Sequence, residues 1–196
     1  MKLTSNLRSI AYAFAALQVL LLTACANVQM PPPSASATNL EKLRAAQIGP
    51  AQVGEFRLAA GKPASMDTSV GGLRGSSISP SAGSYSKQLR EELIAELKGA
   101  GLLDPASPVA IEGELTDSMV DAAIGTGRGR LAARFKVKRA GAVVFDKELV
   151  AEASWESSFV GAVALPAAIH QYGALYKTLV GKLIDDADFR VAVKRK

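Results

Sequence analysis

Hydrophobic residues recur at helical spacing in two segments of the chain, residues 85–100 and 165–183. The recurring positions are Tyr85, Leu89, Leu93 and Leu97 in the first segment, and Ile169, Tyr172, Tyr176, Leu179 and Leu183 in the second. Spacings of three and four residues predict two amphipathic helices, each burying one stripe. Gly101 is suited to end the first helix, since glycine adopts the left-handed conformation without steric cost. Pro166 is suited to the first turn of the second helix, where no N–H donor is needed.

Strict alternation of apolar and polar residues predicts strands at 53–58, 109–116, 131–137 and 143–155. A turn at 140–142 joins the last two strands into a hairpin. Pairing Arg139 with Val143 places three pairs of opposite charge across the outer face of the hairpin: Lys136–Asp146, Arg134–Glu148 and Arg130–Glu152. A register with a loop longer by two residues keeps only Lys138–Asp146 and Lys136–Glu148, so the three-pair register is favoured and this one is the alternative. Lys147 interrupts the inner row, and we expect it near a sheet edge or with its amine extended to solvent.

The predicted order is β-α-β-β-β-α. It indicates an α+β fold, with an antiparallel sheet of about four strands and two helices packed on one face. A segment rich in glycine and serine, residues 60–83, precedes the first helix. A loop of that length is either functional or disordered. Within it, the spacing of Val70, Leu73 and Ile78 favours an irregular flap docked on the core.

The chain begins with the three-part layout of a secretory signal. Lys2 and Arg8 precede thirteen residues, 10–22, in which only Gln18 is strongly polar, and small residues follow. This run is shorter than the roughly 20 residues that a membrane-spanning helix needs. It ends at Cys25, the only cysteine of the chain.

Residues 22–25, Leu-Thr-Ala-Cys, resemble the lipobox of bacterial lipoproteins. The resemblance implies a signal peptide at 1–24 and a cysteine that carries a diacylglycerol on its thiol and a further acyl chain, such as palmitate, on its amine. Ala26 and Asn27 follow where an aspartate tends to mean inner-membrane retention. The resemblance therefore implies the periplasmic face of the outer membrane. An ordinary signal for soluble secretion is the alternative.

Residues 25–47 are predicted to be a Pro/Ser-rich tether, and residues 48–196 one periplasmic domain. Fully extended, the tether would reach about 60–80 Å. Removal of Lys2 and Arg8 with the leader lowers the formal charge from +5 by two, to +3. That value is too small to indicate nucleic-acid binding. With Cys25 acylated, the mature chain has no thiol left for a disulfide or a metal.

Residues for catalysis are few. His170 is the only histidine, and no serine or carboxylate stands at a recognisable spacing from it. Residues 125–130, Gly-Thr-Gly-Arg-Gly-Arg, lack the Gly-Lys-Ser/Thr ending of a phosphate-binding loop, so we expect a hairpin loop there. Glu112 and Glu114 share a strand face, as solvated carboxylates commonly do. We expect no catalytic residue, no metal and no cofactor besides the lipid on Cys25.

Two surfaces remain as candidates for binding. The connection before the last helix is unusually apolar and contains Phe159, Val160, Val163 and Leu165. It either caps the end of the core or faces a partner or lipid. Six basic residues are candidates for contacting phosphate, with simple solvation as the alternative: Arg128, Arg130, Arg190, Lys194, Arg195 and Lys196.

The lipobox, the tether, the segments 84–93 and 97–101 and the element order together resemble small outer-membrane lipoproteins of Gram-negative bacteria. Similar architectures are the lipopolysaccharide-assembly lipoprotein that plugs its barrel, and the transport-auxiliary and envelope-assembly lipoproteins. The resemblance implies a non-enzymatic binding, assembly or transport-accessory role, with an envelope protein or lipopolysaccharide as partner. An envelope hydrolase or peptidoglycan-acting enzyme with an unrecognised site is the alternative.

Overall fold

The computed structural model describes residues 27–195. Its helices are α1 (Ala37–Ala45), α2 (Tyr85–Gly99), α3 (Gly161–Asp185) and α4 (Ala187–Ala192), with a 3₁₀ turn at Ala64–Asp67. Its strands are β1 (Asn27–Gln29), β2 (Gln52–Leu58), β3 (Val70–Leu73), β4 (Ser76–Ser79), β5 (Val109–Asp121), β6 (Gly125–Arg139) and β7 (Ala142–Ser157). The predicted signal peptide, Cys25 and Lys196 lie outside the described residues.

The larger sheet has the order β2-β5-β6-β7. Strands β5, β6 and β7 are antiparallel, as predicted, but β2 runs parallel to β5, with Val53 opposite Ile111. The parallel pairing follows from the connection, because α2 carries the chain across the sheet before β5 begins. The α+β class is confirmed, and the sheet is mixed rather than purely antiparallel.

Helices α2 and α3 cover one face of this sheet, α2 over β2 and β5, and α3 over β6 and β7. The predicted stripes of both helices are buried, except that Ile169 is half-buried. Ser84 caps α2 by accepting a hydrogen bond from the Lys87 N–H, and Gly101 follows the helix with φ +71°. The other face of the sheet carries charged pairs. The core therefore lies between the sheet and the two helices.

Helix α3 begins at Gly161, four residues before the predicted start at Leu165. Pro166 thus lies inside the helix, where it cannot donate to the carbonyl of Ala162. Ala162 is exposed, so water can satisfy that carbonyl. The early start therefore adds about one apolar turn, residues 161–164, before the predicted start of α3.

The hairpin of β6 and β7 has the three predicted cross-strand pairs: Lys136–Asp146, Arg134–Glu148 and Arg130–Glu152. The predicted three-residue turn is wrong, because Arg139 faces Ala142 across Ala140 and Gly141, both with positive φ. This two-residue turn suits the twist of the strands. Val144 then forms a bulge, since Lys138 faces Val143 and Val137 faces Phe145. The bulge restores the predicted register.

Charged side chains on the outer face do not all bond the residue directly opposite. Arg130 pairs with Glu152 as predicted and also with Asp117. Arg134 instead bonds Asp146, diagonal to it. On α2, Glu91 pairs with its chain neighbour Arg90 at 2.8 Å. The strands therefore have the predicted register, although some charged side chains bond a different partner from the one directly opposite.

The described part of the predicted tether, residues 27–47, is folded onto the domain. β1 pairs parallel with β4, and β4 pairs with β3, so that the predicted flap and the start of the tether form a three-stranded sheet. Met30 and Leu43 are buried, as are Val70, Leu73 and Ile78 of the flap. A free reach of tens of ångströms is therefore excluded for residues 27–47.

Two further expectations concern single side chains. Lys147 lies on the edge strand β7 and bonds Asp186 at 2.6 Å, which agrees with its predicted edge position. The glycine-rich segment 125–130 is wrongly predicted as a loop, because it forms the first part of β6. A Cβ on Gly127 would lie 2.3 Å from the ring of Trp155. Glycine is required there by packing, not by a turn.

Candidate binding groove

A groove of about 710 Å³ lies between residues 28–34, helix α2 and the first half of α3. One wall is formed by Val28, Met30, Pro31 and Pro32, and the opposite wall by Ala162, Leu165, Pro166, Ile169, Gly173 and Ala174. The volume is in the range of small-molecule sites, roughly 300–1,000 Å³. The residues named in the two walls are all apolar, and Ser34 and His170 lie beside them. We call this feature the apolar groove.

The polar side chains at the floor of the apolar groove, Gln88, Glu92 and Lys177, are hydrogen-bonded to one another or to the neighbouring backbone. The Lys177 ammonium lies 2.8 Å from the Glu92 carboxylate and also donates to the carbonyl of Ser34. The Gln88 amide donates to the carbonyl of Pro31 at 3.2 Å and accepts from the backbone N–H of Ala82 at 3.1 Å. Burial raises the pKa of Glu92, and Lys177 offsets this only in part. The floor therefore offers few free partners to a ligand.

A buried carboxylate holds the first wall in place. Glu96 on α2 is fully buried, and its Oε1 accepts from the Ser36 N–H at 3.0 Å and from the Asn39 amide at 2.9 Å. Asn39 also donates to the carbonyl of Lys177 on α3. The other carboxylate oxygen of Glu96, Oε2, has no hydrogen-bond partner among residues 27–195. This cluster joins the start of α1 to both long helices.

Three tyrosines pack edge-to-face behind the groove: Tyr85, Tyr172 and Tyr176. The Tyr85 hydroxyl donates to the carbonyl of Ile78 at 2.6 Å and accepts from the Val70 N–H at 3.2 Å, which fixes the β3–β4 hairpin. Tyr172 bonds Ser118 at 2.6 Å. Burial raises the pKa of Tyr172 to about 12 and that of Tyr176 well above its ordinary value. All three stay protonated at physiological pH and act in packing.

The apolar connection before α3 is exposed at the end of the groove. Phe159 is 78% exposed, Val160 42% and Val163 59%, whereas Leu165 is half-buried and lines the groove. The interpretation that Phe159 and Val163 cap the core is therefore wrong. We call Phe159, Val160 and Val163 the apolar rim.

Arg74 fixes the backbone of the apolar rim. Its guanidinium donates to the carbonyl of Phe159 at 3.0 Å, of Ser158 at 2.6 Å and of Ala122 at 2.8 Å. Arg74 has a φ of +52° in the turn between β3 and β4. Sequence analysis missed this residue, because an isolated arginine beside a glycine carries no signal of partners 48 and 85 residues away.

The five basic candidates within residues 27–195 do not form one phosphate site. Arg130 is used in two ion pairs, and Arg190 bonds Asp185 and the carbonyl of Ile184. Lys194 lies beside Arg139 at the end of β6, while Arg128 lies eleven residues earlier on that strand. At about 3.3 Å per residue the two ends are roughly 36 Å apart. Of the described candidates Arg128, Lys194 and Arg195 are exposed, and Lys196 lies outside the described residues.

Candidate catalytic residues are dispersed. His170 is exposed at the edge of the groove. Glu112 pairs with Lys138, and Glu114 with Arg57 and Lys136, as solvated charges do. Hydrogen bonding from Arg57 lowers the pKa of Glu114. Within residues 27–195 no group of three histidine, cysteine or acidic residues is arranged to hold a metal.

None of the helices in the described part of the chain combines the length and the hydropathy that a membrane crossing requires.

No family model and no curated protein matches the chain. Among solved structures, protein XCC0632 of Xanthomonas campestris, from family DUF330, is 15% identical, with a TM-score of 0.49 over 81% of this chain and 91% of its own. A candidate lipoprotein of Caulobacter crescentus CB15 is 15% identical, with a TM-score of 0.39 over 53% of this chain and 78% of its own. The hypothetical protein CT253 of Chlamydia trachomatis is 14% identical, with a TM-score of 0.39 over 70% of this chain and 96% of its own.

Proposed function

We propose that this protein is a lipoprotein anchored through Cys25 to the periplasmic face of the outer membrane, where it acts as a non-enzymatic accessory factor of the cell envelope. The lipobox-like residues 22–25 support the anchor. The apolar groove is the observation that supports binding rather than catalysis. Its walls are mostly apolar, and Gln88, Glu92 and Lys177 at its floor are engaged in internal hydrogen bonds.

The occupant that suits this groove is a fatty acyl chain of an envelope lipid. A peptide strand would bring backbone N–H and C=O groups that need hydrogen-bond partners, and burying them unpaired is costly. An acyl chain brings no such groups. Both phospholipid and lipopolysaccharide carry acyl chains, so either could supply the ligand.

Gly173 gives a direct test of the groove. It lies on the α3 wall, and an added Cβ would have no non-local neighbour within 4 Å among the described residues. Gly173→Phe should fill the groove without displacing the core, whereas Gly173→Ala leaves most of the space free. Alanine should also stabilise α3, by about 1 kcal/mol.

The assay is binding of a fluorescent polyunsaturated fatty acid to the purified acylated protein. We expect the wild type and Gly173→Ala to bind alike and Gly173→Phe to lose at least tenfold in affinity. Competition by a phospholipid or by lipopolysaccharide distinguishes the two lipid sources. Equal binding by all three proteins, or competition only by a helical peptide of an envelope protein, contradicts an acyl-chain ligand.

The anchor has its own test. Cys25→Ser removes the thiol that would carry diacylglycerol. We expect the variant to accumulate unprocessed or to leave the outer-membrane fraction. A variant that is still cleaved and still recovered in that fraction contradicts the lipoprotein assignment.

A further inference from the structure

The apolar rim is placed at the end of the molecule where the chain leads back to Cys25. β1 runs parallel to β4, with Asn27 opposite Ser77, so the first residue of β1 lies towards the turn that contains Arg74. The guanidinium of Arg74 bonds the carbonyl of Phe159. The beginning of the described chain and the rim are thus linked through one small sheet and one arginine.

The distance from the anchor to the folded domain is short. Only Ala26 separates Cys25 from Asn27, so the Cα atoms of Cys25 and Asn27 can be about 7 Å apart at most. Because residues 27–47 are folded onto the domain, they add no reach. An acyl group on Cys25 would therefore hold the apolar rim close to the leaflet.

We propose that the apolar rim docks into the leaflet that holds the acyl chains of Cys25, with the side chains of Phe159, Val160 and Val163 in the interfacial region. This inference rests on the proposed lipid anchor. Exposed side chains of this kind enter the boundary between headgroups and acyl chains by about 5–10 Å. Three side chains alone would bind a membrane weakly. The short connection to the anchor makes their insertion an intramolecular event with a high effective concentration.

Docking has a consequence for the apolar groove. Ala162 and Leu165, which flank the rim residue Val163 at the start of α3, line the groove. A rim inserted in the interface would hold this end of the groove at the depth of the lipid headgroups. An acyl chain could then pass from the leaflet into the groove without crossing water.

The test places a tryptophan at the rim and a matched one at the far end. Val191 on α4 is 74% exposed, against 78% for Phe159, and α4 packs near the β6–β7 turn through Phe189 and Phe145. In a Trp155→Phe background, which removes the only native tryptophan, Phe159→Trp and Val191→Trp are prepared as acylated proteins. Each is reconstituted into phosphatidylcholine vesicles with and without brominated acyl chains.

We expect brominated lipid to quench at least about half of the emission of Trp introduced at 159, with a blue shift, and to leave that of Trp introduced at 191 nearly unchanged. Circular dichroism controls for folding. Intact mass and vesicle flotation confirm acylation and membrane attachment. If the Phe159→Trp protein is acylated and floats with the vesicles but its emission is not quenched, the docking proposal is wrong and the anchor proposal stands. A protein without acyl chains overturns both the docking and the proposed anchor.

Discussion

The side-chain amide of Asn39 donates a 2.9 Å hydrogen bond to the buried carboxylate of Glu96, 57 residues away in the chain. Glu96 receives a second hydrogen bond from the N–H of Ser36, so the first turn of α1 and the residue that precedes it are both tied to α2. The first wall of the apolar groove depends on this attachment, because residues 30–34 lie between β1 and α1.

The first prediction concerns this attachment. Asn39→Ala removes one of the two hydrogen bonds to a fully buried carboxylate, and the uncompensated group should destabilise the protein by about 1–3 kcal/mol. Urea unfolding measures the loss. Protease cleavage within residues 30–47 should also become faster, because the wall detaches.

The matched control is Glu41→Ala on the exposed side of the same helix. We expect its stability within about 0.5 kcal/mol of the wild type. If Asn39→Ala and Glu41→Ala behave alike, the Glu96 cluster does not hold the N-terminal segment.

A second prediction concerns pH. Asp186 caps α4 by accepting hydrogen bonds from the N–H groups of Asp188 and Phe189, and it pairs with Lys147. Burial pushes the pKa of Asp186 upward, but the hydrogen bonds from Lys147 and Phe189 outweigh it, and the pKa is lowered. The stabilisation is therefore complete above the unfolded pKa of about 3.9 and is lost as pH falls through the lower folded value.

Asp186→Ala should cost about 1 kcal/mol at pH 7 through loss of the cap. Asp186→Asn retains a capping oxygen and should cost less at pH 7. The difference in free energy of unfolding between Asp186→Asn and the wild type should vanish below the folded pKa of Asp186. Chemical unfolding across a pH series checks this. A difference that stays constant down to pH 2 contradicts the role of the charge.

A third prediction concerns Gly127, over which the ring of Trp155 lies. Gly127→Ala forces the ring away and should destabilise the protein by about 1–3 kcal/mol. Because Trp155 is the only tryptophan, its emission reports the displacement directly. Gly161→Ala is the control, since an added Cβ there meets no non-local atom of the described chain within 4 Å. Unchanged emission in Gly127→Ala contradicts the packing.

Patterns within one element were sufficient to predict much of this fold. The stripe of Leu89 and Leu93 predicted α2. The alternation in β6 and β7 predicted their shared inner face, and the opposite charges across the hairpin favoured the observed register. These predictions succeed because the partners are close in sequence or repeat at a regular spacing. The parallel placement of β2 was not predicted, because alternation carries no strand direction.

The apolar groove could not be predicted from the sequence. Its walls come from Val28 and Leu165, which lie far apart in the chain, and its first wall depends on Glu96 bonding Asn39. The composition of residues 31–38 is typical of a tether, and nothing in it signals a buried acceptor on a distant helix. Residues 125–130 were wrongly predicted to form a loop. Gly127 in this segment allows close contact with the ring of Trp155 and does not form a turn. Only the exposed connection around Phe159 was singled out beforehand.

Native mass spectrometry of the acylated protein extracted from outer membranes tests the central proposal most directly. The wild type and Gly173→Ala are expected to carry a non-covalent lipid adduct in addition to the covalent chains on Cys25. Gly173→Phe, at the same level of acylation, should carry none. An adduct of equal abundance in all three proteins, or its absence from the wild type, would contradict a lipid-binding groove in an anchored lipoprotein.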